Sequence, residues 1–204
     1  MSDITYFTID IENRGDSAMH NGIVSIGVCI AHGADDPAPE KHRFDLAPLP
    51  GQVFEERCLR EFWHCNDEMR ALLARLTANP MPALEGIAAF RALLDRFENP
   101  VILSDKSSYD FGFINYYLDV AGLPSLRYDA TRTKYIPLYD TDCYARGATH
   151  MSYDDRWVDD AVVAQKLGDS RGRFPSKELV DHMPENDAEY IWRMHMAVIK
   201  NNGC

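Results

Sequence analysis

The stretch FTIDIENRG, residues 7–15, places two carboxylates in what otherwise reads as a buried β-strand. Apolar and polar residues alternate along it, which is typical of a strand with one buried face. Side chains two positions apart on a strand point to the same side, so Asp10 and Glu12 stand together and repel each other. Ionised carboxylates are costly to bury unless they are paired or bind metal. A divalent cation between them resolves this conflict, so the stretch predicts a metal site on a first strand.

The composition describes a chain that can build one hydrophobic core. Its 204 residues are 46% hydrophobic, and at roughly 100–200 residues per domain we expect a single domain over residues 1–204. No apolar run approaches the ~18 residues of a membrane span, and the N-terminus lacks the features of a signal peptide. The five cysteines form no CxxC pair. We therefore expect a cytoplasmic protein with reduced thiols, without a cysteine zinc site and without a membrane partner.

The net charge of −11 argues against one mode of nucleic-acid binding and leaves another open. An acidic surface argues against broad, non-specific binding of duplexes. A carboxylate-lined metal site contributes negative charge of its own, and a short single-stranded end needs only a small local groove. Charge therefore does not exclude a nucleic-acid substrate.

The order of strand and helix patterns predicts one α/β domain, with an antiparallel meander of three strands first. Strand patterns occur at four places: residues 4–12, 22–31, 41–49 and 100–104. Helical patterns occur over 54–76, 84–97, from near Asp110 to Gly122, over 157–168 and after Pro184. Residues 124–156 read as irregular.

Metal-assisted phosphoryl transfer needs carboxylates that converge from separate elements, and this chain supplies them. Two cations roughly 3.5–4 Å apart can activate a water and stabilise a leaving oxygen. Asp10 and Glu12 lie on the first strand, Asp110 near the start of a helix, and Asp187 in the first turns of the last helix. His182 lies just before that helix and suits the role of base for the attacking water, because histidine titrates near neutral pH.

Three motifs of the chain resemble those of the DEDDh 3′–5′ exonucleases: DIE at 10–12, SSYDFGFINYYL at 107–118 and HMPENDA at 182–188. Three further segments look most similar to the compact phage and bacterial members, the exoribonuclease-like and DexA-like subgroup: SIGVCI, REFWHCNDEMR and YDT at 139–141. The resemblance implies a ribonuclease-H-like fold. We accordingly expect a five-stranded mixed sheet, with three antiparallel strands first, flanked by helices.

The resemblance also implies an activity and the residues that carry it. Asp10, Glu12, Asp110 and Asp187 would bind two divalent cations, Mg²⁺ or Mn²⁺, and His182 would be the general base. The enzyme would hydrolyse phosphodiester bonds at the 3′ end of single-stranded RNA or DNA and release nucleoside 5′-monophosphates. Small members of that family often form homodimers, so the resemblance implies a homodimer as one oligomeric state.

Three residues near the motifs are candidates for contact with the substrate. Tyr109 stands where the family usually has Phe before the middle Asp, and aromatic rings can stack on bases. Arg171 and Arg173 lie just upstream of the last motif and can contact phosphates. A packed core aromatic and a solvated basic loop are the corresponding structural interpretations.

The last motif has a competitor within the chain. HMSYDD at 150–155 has the same spacing, so His150 and Asp155 are alternatives to His182 and Asp187. We prefer the later pair because it opens a long amphipathic helix, whose apolar face can hold the ligand against the first strand.

The middle position also has two candidates. Asp105 directly follows the strand at 100–104 and could cap the next turn. Asp110 precedes apolar residues spaced for the core, and the family places its ligand after an aromatic residue. We therefore prefer Asp110.

Two other functions fit the same residues. A small-oligonucleotide phosphodiesterase would use the same site in a closed pocket. A catalytically silent nucleic-acid-binding domain would keep the fold, although intact acids and an intact histidine argue against it. The choice between RNA and DNA depends on a contact to the 2′-hydroxyl, which no motif identifies.

Overall fold

The computed structural model describes residues 4–131, 133–149, 163 and 183–201. Within these ranges the strands are β1 (Thr5–Asn13), β2 (Ile23–His32), β3 (Glu40–Asp45), β4 (Pro100–Ser104) and β5 (Leu138–Asp140). The helices are α1 (Glu56–Cys58), which continues as a π-helix over Leu59–Trp63, α2 (Asp67–Leu76), α3 (Ala83–Leu94), α4 (Ser107–Val120), α5 (Thr141–Thr149) and α6 (Pro184–Asn201).

The five strands form one mixed sheet in the order β3-β2-β1-β4-β5. β1, β2 and β3 are an antiparallel meander, whereas β4 pairs parallel to β1 and β5 pairs parallel to β4. The parallel pairs require crossovers, and helices supply them. This arrangement confirms the predicted fold class, a five-stranded mixed sheet with three antiparallel strands first.

One face of the sheet packs on α3 and α4 to form the main core. Phe7, Ile9 and Ile11 of β1 point to this face and are buried there. Phe7 packs edge-to-face on Phe90 of α3, with ring centroids 5.8 Å apart. Burying a large apolar side chain contributes about 1.5–3 kcal/mol, so these alternate positions hold β1 at the centre of the sheet.

The terminal helix α6 covers the opposite face. Small residues of the sheet, such as Cys29 and Ala31, lie beneath Trp192 and Met196 of the helix. The small side chains allow the helix to approach the strands closely. The polar positions of β1 therefore lie under α6 rather than in bulk water.

Several boundaries differ from the sequence prediction. The predicted helix over 54–76 is divided, because the Asn66 side chain accepts a hydrogen bond from the Met69 amide and begins α2 anew. Residues 124–156, predicted as irregular, contain β5 and α5. The helix expected near Asp110 begins at Ser107. The predicted helix over 157–168 lies outside the described residues except at Val163.

No helix within the described ranges combines the length and the apolar character needed to cross a membrane.

Candidate metal centre

Two of the predicted acids stand side by side on β1. Asp10 lies opposite Gly27 of β2 in the antiparallel register, and Glu12 lies opposite Ser25. Both acids point to the α6 face of the sheet, as the alternation along β1 predicts. Their cross-strand neighbours are small, so the space above the carboxylates is left to the helix and to a ligand.

Helix α6 brings Asp187 to this face at very close range. Pro184 begins the helix, where its fixed φ and missing N–H are favourable. The backbone of this first turn lies directly over Gly27, since a Cβ atom built there would be 1.9 Å from the carbonyl carbon of Pro184. Asp187 follows within the same turn. Only glycine at position 27 allows the helix to bring its carboxylate so near to β1.

Basic residues of β3 fix the start of α6 from the other side. Arg43 lies opposite Gly27 in the β2–β3 register and pairs with Glu185 at 3.1 Å. The Lys41 ammonium donates to the Asn186 side chain at 2.8 Å and pairs with Glu189 at 3.0 Å. The first two turns of the helix are therefore tied to the sheet on either side of Asp187.

The middle of the chain contributes two acids where the sequence left a choice between them. Asp110 is buried in the first turn of α4, and its Oδ2 accepts a hydrogen bond from the Ser104 hydroxyl at 2.5 Å. Asp105 directly follows β4, and its Oδ1 is buried without a hydrogen-bond partner among the described residues. Because β4 runs parallel to β1, the end of β4 and the first turn of α4 place both carboxylates close to Asp10.

The acids form two sets that share one member. Asp10, Glu12 and Asp187 each offer a carboxylate oxygen within 4.8 Å of the others, and so do Asp10, Asp105 and Asp110. Carboxylate oxygens are the ligands that Mg²⁺ and Mn²⁺ prefer. A carboxylate shared between neighbouring cations is also the arrangement that two-metal hydrolytic sites require. The donor set therefore fits two divalent cations.

The acids hold their protons unusually strongly because they are crowded and desolvated. Burial, followed by repulsion from Asp187, raises the pKa of Glu12 to about 8. Burial likewise raises the pKa of Asp110 to about 8, despite the hydrogen bond from Ser104. Desolvation and the Glu12 charge raise the pKa of Asp10 well above its ordinary value. The negative charge of such a cluster is neutralised either by bound protons or by cations.

A cavity of about 940 Å³ opens over the carboxylates and gives a ligand access to them. Tyr109 lines it, is only partly buried, and donates its hydroxyl to the Gly15 carbonyl at 3.2 Å. Phe62 also lines it and packs edge-to-face on the buried Trp63, with ring centroids 4.9 Å apart. Trp63 thus belongs to the core, while the neighbouring Phe62 faces the cavity.

The remaining predicted residues lie outside the described part of the chain. His182 is one of them, and the chain becomes described again at the next residue, just before α6. Arg171 and Arg173 belong to the same undescribed stretch, 164–182, and the alternative site residues His150 and Asp155 belong to another, 150–162. Their roles stay predictions.

Three residues at this site were not assigned a role there from the sequence. Gly27 had a signal, since a glycine inside an apolar strand often marks close approach of another backbone. Lys106 and Phe62 gave none, because a lysine before a helix and a phenylalanine in an amphipathic segment are ordinary features. Their place in the cavity follows only from the packed structure.

Comparison with known proteins finds likeness in structure alone. No protein-family model matches this chain, and no curated protein sequence matches it. Among solved structures, E. coli exonuclease I in complex with a dT13 oligonucleotide aligns with a TM-score of 0.62 and 11% identity. That alignment covers 96% of this chain and 40% of that one.

Two further structures of exonuclease I give the same result. The E. coli enzyme in complex with a dA16 oligonucleotide has a TM-score of 0.65 at 11% identity, covering 96% of this chain and 41% of that chain. A product-bound exonuclease I has a TM-score of 0.65 at 10% identity, covering 98% and 43%. The chain thus spans about two fifths of the length of these proteins. At this identity the likeness concerns the fold, which is the ribonuclease-H-like exonuclease fold expected from the motifs.

Proposed function

We propose that this chain is a metal-dependent 3′–5′ exonuclease that acts on single-stranded RNA or DNA and releases nucleoside 5′-monophosphates. The observation that carries the proposal is the pair of acid sets that share Asp10 beneath an open cavity. The exonuclease fold supports it, as do the oligonucleotides bound in structures with that fold. We take residues 1–204 as one exonuclease domain of the DEDDh type, within the compact phage and bacterial subgroup.

In this proposal Asp10, Glu12 and Asp187 hold one Mg²⁺ or Mn²⁺ ion, and Asp10 with Asp110 holds a second. When bound, such a pair of ions activates a water and stabilises the charge on the leaving oxygen. The chain itself holds the carboxylates in place, because β1 is paired with β2 and the first turn of α6 packs closely on the sheet. Strong fixation matters because a misplacement of about 1 Å in such a site can cost 10²-fold in rate.

The proton of the attacking water goes to His182 in this proposal. In the sequence, His182 directly precedes Met183, and α6 begins at the residue after that. Arg171 and Arg173 would contact phosphates from the preceding stretch, and Tyr109 would contact the nucleotide at the cavity wall. A base with a pKa near neutral pH is suited to this transfer.

The test is a nuclease assay with 5′-labelled single-stranded RNA and DNA of matched sequence, with Mg²⁺ or Mn²⁺ and a chelator control. We expect a ladder that shortens from the 3′ end, and the faster substrate identifies the preferred sugar. Asp10→Asn should abolish turnover, because both acid sets lose a ligand. Asp119→Asn is the matched control, since that residue is exposed on α4. Absence of cleavage by folded protein with either metal would favour the silent binding domain.

A length series separates the exonuclease from its nearest enzymatic alternative. An exonuclease degrades long single strands down to short products at a steady rate. A small-oligonucleotide phosphodiesterase instead cleaves the shortest substrates fastest, because its closed pocket admits only a few nucleotides.

A further inference from the structure

Two cationic side chains line the cavity over the carboxylates among the described residues, Arg57 and Lys106. Arg57 is already surrounded by acids, with ion pairs to Asp16 at 2.6 Å, to Glu55 at 3.0 Å and to Glu61 at 4.0 Å. Its charge is therefore balanced within the protein. Of the two described cations, Lys106 is therefore the one whose charge is more available to a polyanionic substrate.

Lys106 directly follows Asp105, one of the three acids of the second set. Its Nζ lies 3.6 Å from Oδ2 of Asp105, which is beyond hydrogen-bond length, and its side chain is 57% exposed. Attraction from Asp10 and Asp110 acts on the same ammonium group. Its positive charge in turn lowers the pKa of Glu12, against the larger effects of burial and of Asp187. This lysine is loosely held and faces both acid sets at once.

A divalent cation at the second set would compete with this lysine. Asp105 can direct the same carboxylate toward the ammonium or toward a cation that Asp10 and Asp110 also contact. Cation and ammonium repel each other at such range, and the lysine has a flexible four-carbon stem on an exposed side of the site. The ammonium can therefore turn from the carboxylate into the cavity.

We propose that Lys106 exchanges partners during binding: it pairs with Asp105 before the cation binds, and with a phosphate of the nucleic acid afterwards. This inference rests on the proposed function, because it requires both the metal site and a phosphodiester substrate. The lysine keeps the acid cluster partly balanced in the free protein. In the loaded protein it offers a phosphate a positive charge that, in the described lining of the cavity, the paired Arg57 does not.

The test compares Lys106→Met, which removes the charge and keeps most of the length, with Lys106→Arg, which keeps the charge. Lys134→Met is the matched control, because Lys134 has the same kind of loose ion pair, 3.7 Å from Glu98, with a side chain 59% exposed. Binding of Mn²⁺ is measured by calorimetry without nucleic acid. Binding of a nucleoside 5′-monophosphate, a product that is not turned over, is then measured with Mn²⁺ present.

We expect Lys106→Met to change the two affinities in opposite directions. Mn²⁺ should bind roughly three- to tenfold more tightly because a competing charge is gone, and the monophosphate should bind more weakly by a similar factor. Lys106→Arg should retain the monophosphate affinity, and Lys134→Met should change neither. Unchanged affinities in Lys106→Met, or a loss of both, would overturn the exchange. A wild-type protein that binds no Mn²⁺ would instead overturn the proposed function, and the exchange with it.

Discussion

Replacing Gly27 by alanine tests how closely α6 must approach the sheet. The new Cβ atom would lie 1.9 Å from the carbonyl carbon of Pro184 and 2.3 Å from the amide nitrogen of Glu185. Ordinary contact begins at 3.4 Å, so the first turn of the helix must retreat by about 1.5 Å. Asp187 lies in that turn and must move with it, away from Asp10.

The expected loss follows from this displacement. A shift of about 1 Å in a catalytic constellation can cost 10²-fold, so we expect kcat to fall by about 10²-fold or more. The affinity for Mn²⁺ should fall as well, because the first acid set is opened. Overpacking of this kind also costs about 1–3 kcal/mol of stability. Rates come from the labelled-oligonucleotide assay, affinities from calorimetry and stability from thermal unfolding.

Gly112→Ala is the control for this substitution. Gly112 lies in α4, and a Cβ atom there would meet nothing within 4 Å. Alanine at an open helical position stabilises by about 0.5–1 kcal/mol, so this variant should keep its activity and gain slightly in stability. A folded Gly27→Ala protein with the rate and Mn²⁺ affinity of the wild type would refute the role of close approach.

Two further predictions concern electrostatics. Without metal, the folded protein should lose stability as pH rises from about 4 to about 8, because Glu12 and Asp110 have a folded pKa of about 8 and an ordinary one near 4. Added Mn²⁺ should flatten this profile in thermal unfolding; a metal-free profile that rises over the same range would contradict the pKa directions. Arg43→Glu should weaken Mn²⁺ binding by about tenfold. Replacing a residue that positions a metal ligand commonly lowers the metal affinity by this factor. The double variant that adds Glu185→Arg reverses the ion pair and should restore most of the Mn²⁺ affinity in calorimetry. No restoration would mean that this ion pair does not position the helix.

The sequence predicted the acids of β1 because their cause is local. Alternation along one strand places Asp10 and Glu12 on a common face whatever the strand packs against. The start of α6 was equally predictable, since proline is favoured in the first helical turn. These features depend on a few neighbouring residues.

Other features depend on partners that are distant in sequence. The choice between Asp105 and Asp110 seemed exclusive, yet the end of β4 and the first turn of α4 bring both to Asp10. The three residues of β5 have little strand character alone, and pairing with β4 makes them a strand. The role of Gly27 likewise appears only when Pro184 lies above it.

The packing of α6 over β1 also determines when, during synthesis of the chain, the first acid set can form. The first acid set joins a strand near the start of the chain to a helix that most of the chain separates from it. Because α6 lies C-terminal to β1, the ribosome makes the strand first, and the helix must leave the ribosome before the set can close. A nascent chain therefore already has its sheet acids but not the complete centre. Under the proposed function, it is harmless to nucleic acid around the ribosome until the helix docks.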